Sequence, residues 1–129
     1  MFVTITEGEI DCMSVSQAQN NKYPVVSLPS GSQSANKYIA ANLKWLSQFV
    51  RIVICFDSDE PGMVAAEKAI KILPPGKAAI CRLPRKDANE MLIAGEGEEL
   101  RDLLWKATPV RPDGTVSYTH LRAHETSSN

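Results

Sequence analysis

Cysteine is scarce in this chain of 129 residues, and Cys12, Cys55 and Cys81 stand far apart with no CxxC pair among them. That spacing excludes the usual zinc modules. Reduced thiols are expected, and Cys55 and Cys81, each inside an apolar run, read as small core residues rather than redox groups. No apolar run approaches the roughly 20 residues needed to span a bilayer, so no membrane association is expected. The start, MFVTITEGEID, lacks a basic segment followed by a long apolar stretch and does not read as a signal peptide, which makes the cytoplasm the expected location. An excess of positive charge is missing too, with 14 Lys and Arg against 15 Asp and Glu, a net charge of −1 and a pI near 6.1. Such a balance lacks the basic surface that grips a phosphate backbone unaided, so work on nucleic acid would need grip supplied from elsewhere.

What is present suits one globular domain: 43% hydrophobic and 22% charged residues, in a length too short for two separate cores. Four β-rich runs stand out, at Phe2 to Thr6, Tyr23 to Leu28, Arg51 to Phe56 and Lys77 to Leu83. They are continuously apolar rather than alternating, the pattern of strands buried on both faces of a parallel sheet. Between them the composition is helical. The clearest helix is expected over Ser34 to Phe49, with Ile39, Leu43 and Leu46 on one face and Ser32 or Ser34 as its cap. Another is expected from Pro61 to Leu73, ended by Pro74 and Pro75. A weaker first helix spans Ile10 to Asn20, where Ser14, Ser16 and Asn20 are indifferent helix formers. Two short helices are expected near Ala88 to Ala94 and Glu98 to Ala107. This succession predicts an open α/β sheet of about four parallel strands flanked by helices, occupying residues 1–107. Residues 108–115, TPVRPDGT, read as a linker. Residues 116–129 read as a non-native, disordered tail, because VSYTHLRAHET resembles translated sequencing adaptor; His120 and His124 there are not taken as metal ligands.

The acids fall at strand ends. Glu7 follows the first run, Asp57 and Asp59 the third, and Asp87 comes shortly after the fourth. Ligands of an open parallel sheet bind outside the carboxyl ends of its strands, where neighbouring connections leave to opposite faces. A strand order of 2-1-3-4 would set Glu7 beside Asp57 and Asp59. Carboxylates so crowded repel one another unless a cation joins them. Oxygen donors without nearby His or Cys favour magnesium or manganese. Asp57 and Asp59 can also serve simply to cap the following helix.

Taken in order, TEGEID, KYPVVSLPSG, FDSDEPG, LPRKDANE and RPDG resemble the TOPRIM domain of bacterial-type primases, most of all the primase half of phage primase-helicases, over Val3 to Thr115. The resemblance implies a TOPRIM, Rossmann-like fold. It also implies a catalytic and metal-binding set of Glu7, Asp57 and Asp59, with Asp87 as a further acid at the same site. Asp11 matches the last position of EGxxD, where it either steadies the first helix or touches a ligand. Lys86 and Arg85 are expected to meet phosphates of nucleotide or template, or to form a solvated basic loop. Gly8 and Gly31 are expected at tight turns or close approaches, and Gly62 completes DxDxxG. Trp45 and Trp105 read as packing residues rather than base-stacking platforms.

The implied activity is RNA primer synthesis from ribonucleoside triphosphates on a DNA template, with Mg2+ or Mn2+ as cofactor, in a phage-infected bacterial cell. A zinc-binding module and a P-loop helicase, expected in the same polypeptide and able to drive oligomerisation, have no counterpart here: there is no cysteine quartet and no GxxxxGKS/T. The chain is therefore expected to be a fragment, inactive alone. Two alternatives stay open. One is a TOPRIM nuclease or topoisomerase, for which Tyr23, Tyr38 and Tyr118 are poor catalytic tyrosines. The other is a non-enzymatic nucleic-acid-binding or receiver-like module.

Overall fold

The computed structural model describes residues 1–29, 31, 34–74 and 76–110. Five strands, β1 (Phe2–Thr6), β2 (Val25–Ser27), β3 (Arg51–Cys55), β4 (Ala78–Ile80) and β5 (Thr108–Pro109), form one sheet in the order β2-β1-β3-β4-β5. The first four are mutually parallel. Among the described residues six helices accompany them: α1 (Glu9–Ala18), α2 (Ala35–Ala41), α3 (Leu43–Leu46), α4 (Glu60–Ile72), α5 (Ala88–Ile93) and α6 (Gly97–Trp105).

Alternation along the central strands divides the core in two. Val3, Ile5, Ile52 and Ile54 pack with Ala35 and Ile39 of α2 and with Ala65, Ala66 and Ala69 of α4. Phe2, Val53 and Cys55 pack on the other face with Val15 of α1, Met91 of α5, and Leu100 and Leu104 of α6. Both faces of β1 and β3 are thus covered, which is why their sequences read as unbroken apolar runs. Phe2 also stacks on Tyr23 at 5.2 Å and meets the edge of Trp105 at 5.4 Å. This aromatic group sits at the amino end of the sheet, so Trp105 packs as its composition suggested. Trp45 packs against Phe49 at 4.9 Å.

The fold departs from the sequence expectation in several places, each with a local cause. The sheet has five strands rather than about four, because Thr108–Pro109 pairs antiparallel with β4. Val110 extends this contact by donating its N–H to Ala78 O at 3.0 Å and is itself buried. Sheet structure therefore runs into the segment read as a linker from residue 108. Pro109 is tolerated because β5 is an edge strand. Residues 111–129, which hold the rest of that linker and the expected tail, lie outside the described residues. The long helix expected over Ser34 to Phe49 is two helices. Asn42 interrupts it, its side-chain amide donating to Tyr38 O at 2.8 Å in competition with the helical ladder. The Ser34 hydroxyl does not cap α2 but turns back to Gly31 O at 3.2 Å.

Candidate metal centre

The five acids of the site reach it from three strand-to-helix connections, and the carboxylates of Glu7, Asp11, Asp59 and Asp87 each accept a backbone N–H. β1 and β3 are neighbours whose connections leave to opposite faces, into α1 and α4, so a crevice opens at their carboxyl ends. Glu7 follows β1 and accepts the Asp57 N–H on Oε1 at 2.8 Å, which draws its side chain over the end of β3. Asp59 is the N-cap of α4, its Oδ1 accepting from Gly62 N at 2.9 Å. Asp87 caps α5 in the same way, accepting from Glu90 N at 2.9 Å. Asp11, in the first turn of α1, accepts from Asn89 N at 3.1 Å.

Two groups of three carboxylates result. Glu7, Asp57 and Asp59 place one oxygen each within 4.8 Å of one another, and so do Asp11, Asp57 and Asp87. Asp57 belongs to both. Asp87 therefore meets Asp11 and Asp57 rather than Glu7 and Asp59. The capping role weighed for Asp59 holds as well, and does not compete with the site, since one oxygen caps while the carboxylate keeps a second.

Electrostatics make the crowding costly. The Asp57 carboxyl is pushed up from its usual 3.8 to about 7, first by burial and then by the charges of Glu7, Asp11, Asp87 and Asp59. Burial also raises Glu7, aided by Asp59 and Asp11 and opposed by the hydrogen bond from Asp57 N. Asp11 is raised by burial, with Asp87 adding to it. Lys86 lowers both Glu7 and Asp11, so its positive charge acts on the site. Half-buried oxygen donors at this spacing, with neither His nor Cys among them, fit a hard divalent cation such as Mg2+ or Mn2+.

Gly62 shows how tightly the centre is built. A Cβ at this position would overlap the Asp57 carbonyl and stand 2.6 Å from Glu7 Oε1, so α4 approaches the acids only because residue 62 has no side chain. Gly31 has φ +77 and open space around it, which makes it a turn glycine. The expectation for Gly8 is corrected: its backbone is extended (φ −126, ψ 163) and a Cβ would meet only Asp11 Oδ2, at 3.9 Å. The Arg85 guanidinium makes a two-point pair with Glu96, at 2.6 and 3.0 Å, on the exposed loop. Nothing in the sequence marked Glu96, eleven residues away, as its partner.

Ser58, Ser14 and Asn89 were not singled out as site residues. The Ser58 hydroxyl donates to Arg85 O at 2.9 Å and its N–H to Lys86 O at 2.8 Å, tying the β3–α4 loop to the loop that carries Asp87. Its place between two aspartates in DSD was the available signal. A cavity of about 210 Å3 lies beside Asp57, Ser58 and Gly62, walled by Phe56, Met63 and Leu83. A larger cavity, about 440 Å3, runs between β2 and the α2–α3 segment and is lined by none of the five acids.

Comparison with known proteins agrees with this fold. The model of a family described as Toprim-like matches residues 4–92. A DNA helicase/primase of Enterobacteria phage T3 is 45% identical over 120 residues, a match covering 93% of this chain and 21% of the phage protein. A primase homolog protein of Arabidopsis thaliana is 30% identical over 110 residues, covering 79% of this chain and 33% of the plant protein. Among solved structures, the primase fragment of the bacteriophage T7 primase-helicase is similar with a TM-score of 0.78 and 44% identity, over 81% of this chain and 44% of that one. A small TOPRIM domain protein from Bacillus stearothermophilus shares the fold, with a TM-score of 0.57 at 16% identity over 92% of this chain and 94% of that one. The chain thus spans about a fifth of the phage T3 relative and a third of the plant relative.

Proposed function

The chain belongs to the Toprim-like family, and we propose that it is the metal-dependent catalytic domain of a phage DNA primase-helicase, joining ribonucleotides into RNA primers on a DNA template. The observation that carries this reading is the pair of carboxylate groups sharing Asp57 at the sheet's switch point. Glu7, Asp57 and Asp59 would hold Mg2+ or Mn2+, with Asp87 contributing through the second group. A bound ion supplies electrostatic stabilisation of the phosphoryl group and of the departing pyrophosphate.

The chain's own residues prepare that chemistry. With Oε1 fixed by Asp57 N–H, Glu7 keeps its other oxygen for the ion or for the proton of an attacking 3′-hydroxyl. Lys86 adds positive charge where phosphates would lie. The cavity beside Asp57 gives part of a nucleotide room next to the acids. A net charge of −1 supplies little further grip on template. Template recognition and assembly accordingly fall to zinc-binding and helicase parts of the same polypeptide, and the chain alone is inactive.

The test is primer synthesis by a reassembled full-length protein carrying Asp57→Asn or Asp59→Asn. Asn also caps helices well, so D59N keeps α4 while removing the charge. Loss of primers with retained fold supports the assignment. Unchanged synthesis refutes it, and metal-dependent DNA cleavage without primers would place the chain in the nuclease branch.

A further inference from the structure

Asn89 is where α1 and α5 are fastened together. The helix α5 has six residues, too few to be stable by its own hydrogen bonds, so its position depends on what holds it. Its first turn leaves backbone N–H groups without helical partners. Asp87 takes the N–H of Glu90, and Asp11 of α1 takes that of Asn89. The Asn89 side chain then reaches the hydroxyl of Ser14, one turn further along α1, with Ser14 Oγ 3.1 Å from Asn89 Oδ1. Residues three apart on a helix share a face, so Asn89 grips α1 at two points.

This clasp works against a repulsion. Asp11 and Asp87 bring carboxylate oxygens within 4.8 Å of each other and of Asp57. Each spends one oxygen on the first turn of α5 and keeps another for the group they form with Asp57. Ser14 is only 3% exposed, and its hydroxyl lies 2.9 Å from Ile10 O as well as 3.1 Å from Asn89 Oδ1, so it links the backbone of α1 to the Asn89 side chain. Two like charges are thus held at a spacing they would otherwise relax.

We infer that Asn89, with Ser14, is a positioning residue of the metal centre: the clasp sets Asp11 and Asp87 around Asp57 and thereby fixes how tightly this group holds a divalent cation. The inference rests on the metal-centre reading proposed above. Side chains that orient metal ligands without touching the ion typically alter affinity by about tenfold to a hundredfold, and that range is expected here.

The experiment is Mn2+ binding to the folded chain, read from the electron paramagnetic resonance signal of free Mn2+. It compares the wild type with Asn89→Ala, Ser14→Ala, the double variant and Asp57→Asn, each checked for fold by near-ultraviolet circular dichroism. N89A and S14A should each weaken Asp57-dependent binding by about tenfold or more. The double variant should be no weaker than the worse single one, because both remove one interaction. S14A deletes a single atom and keeps the test decisive if N89A loosens α5. Wild-type uptake left unchanged in folded S14A or N89A overturns the inference alone. A wild-type chain that takes up no Mn2+, or whose uptake survives D57N, overturns the metal-centre reading beneath it.

Discussion

Without a cation, the acidic centre should make the protein less stable as pH rises, and a cation should reverse this. The Asp57 carboxyl moves from 3.8 to about 7 on folding, so the folded state binds its proton more tightly than the unfolded state does. A raised acid contributes stability that is complete below pH 4 and is lost as pH climbs through 7. A shift of about three units corresponds to about 4 kcal/mol if undiminished. Asp57 is only partly buried, and screening by water and salt reduces the effect to about 1–2 kcal/mol. For a domain of this size that is a fall in Tm of about 4–7 °C. The assay is thermal unfolding between pH 4 and 8 in chelator, for the wild type and for Asp57→Asn. The wild-type Tm should fall by about 4–7 °C more than that of D57N across this range. Saturating Mg2+ at pH 8 should restore the wild type and leave D57N unmoved. Parallel pH profiles for the two proteins would refute the electrostatic account, since every other titrating group is common to both.

Other perturbations separate the fold from the site. Gly62→Ala should lower Tm and abolish divalent binding together, because its methyl must displace the Asp57 carbonyl or Glu7; thermal unfolding with a Mn2+ titration would detect both. Asp59→Asn should retain stability and lose metal affinity, whereas Asp59→Ala should lose about 1 kcal/mol more by removing the α4 cap, as measured by urea unfolding. Met91→Ala, at a fully buried side chain of α5, should cost about 2–5 kcal/mol in the same assay. Arg85→Ala should leave Tm and Mn2+ affinity unchanged, since its pair with Glu96 is exposed and the group stands apart from the acids.

Much of this was legible because strand burial and strand-end chemistry are local. Continuous apolar runs marked β1 and β3, and an acid one or two residues beyond each run located Glu7 and Asp57 before any topology was known. The 2-1-3-4 order, considered because it would set Glu7 beside Asp57 and Asp59, holds for the parallel strands. What escaped depends on contacts distant in sequence. Asp11 lies 78 residues from Asn89, and no spacing rule announces that their helices touch. The strand β5 is two residues long and contains a proline, so neither periodicity nor propensity marks it. Asn42 scanned as one more position of an amphipathic helix, and only its side-chain bond to Tyr38 O explains the break. The pairing of Arg85 with Glu96 escaped too, because a loop cation carries no sign of a carboxylate eleven residues downstream.

The most direct measurement is a calorimetric titration of MnCl2 into the chain and its D57N variant at neutral pH. Saturable heat with the wild type, lost when the carboxylate common to both groups becomes an amide, is the expected result. Equal heats from the two proteins, or none from either, would contradict the claim that these strand-end acids are assembled to hold a divalent cation.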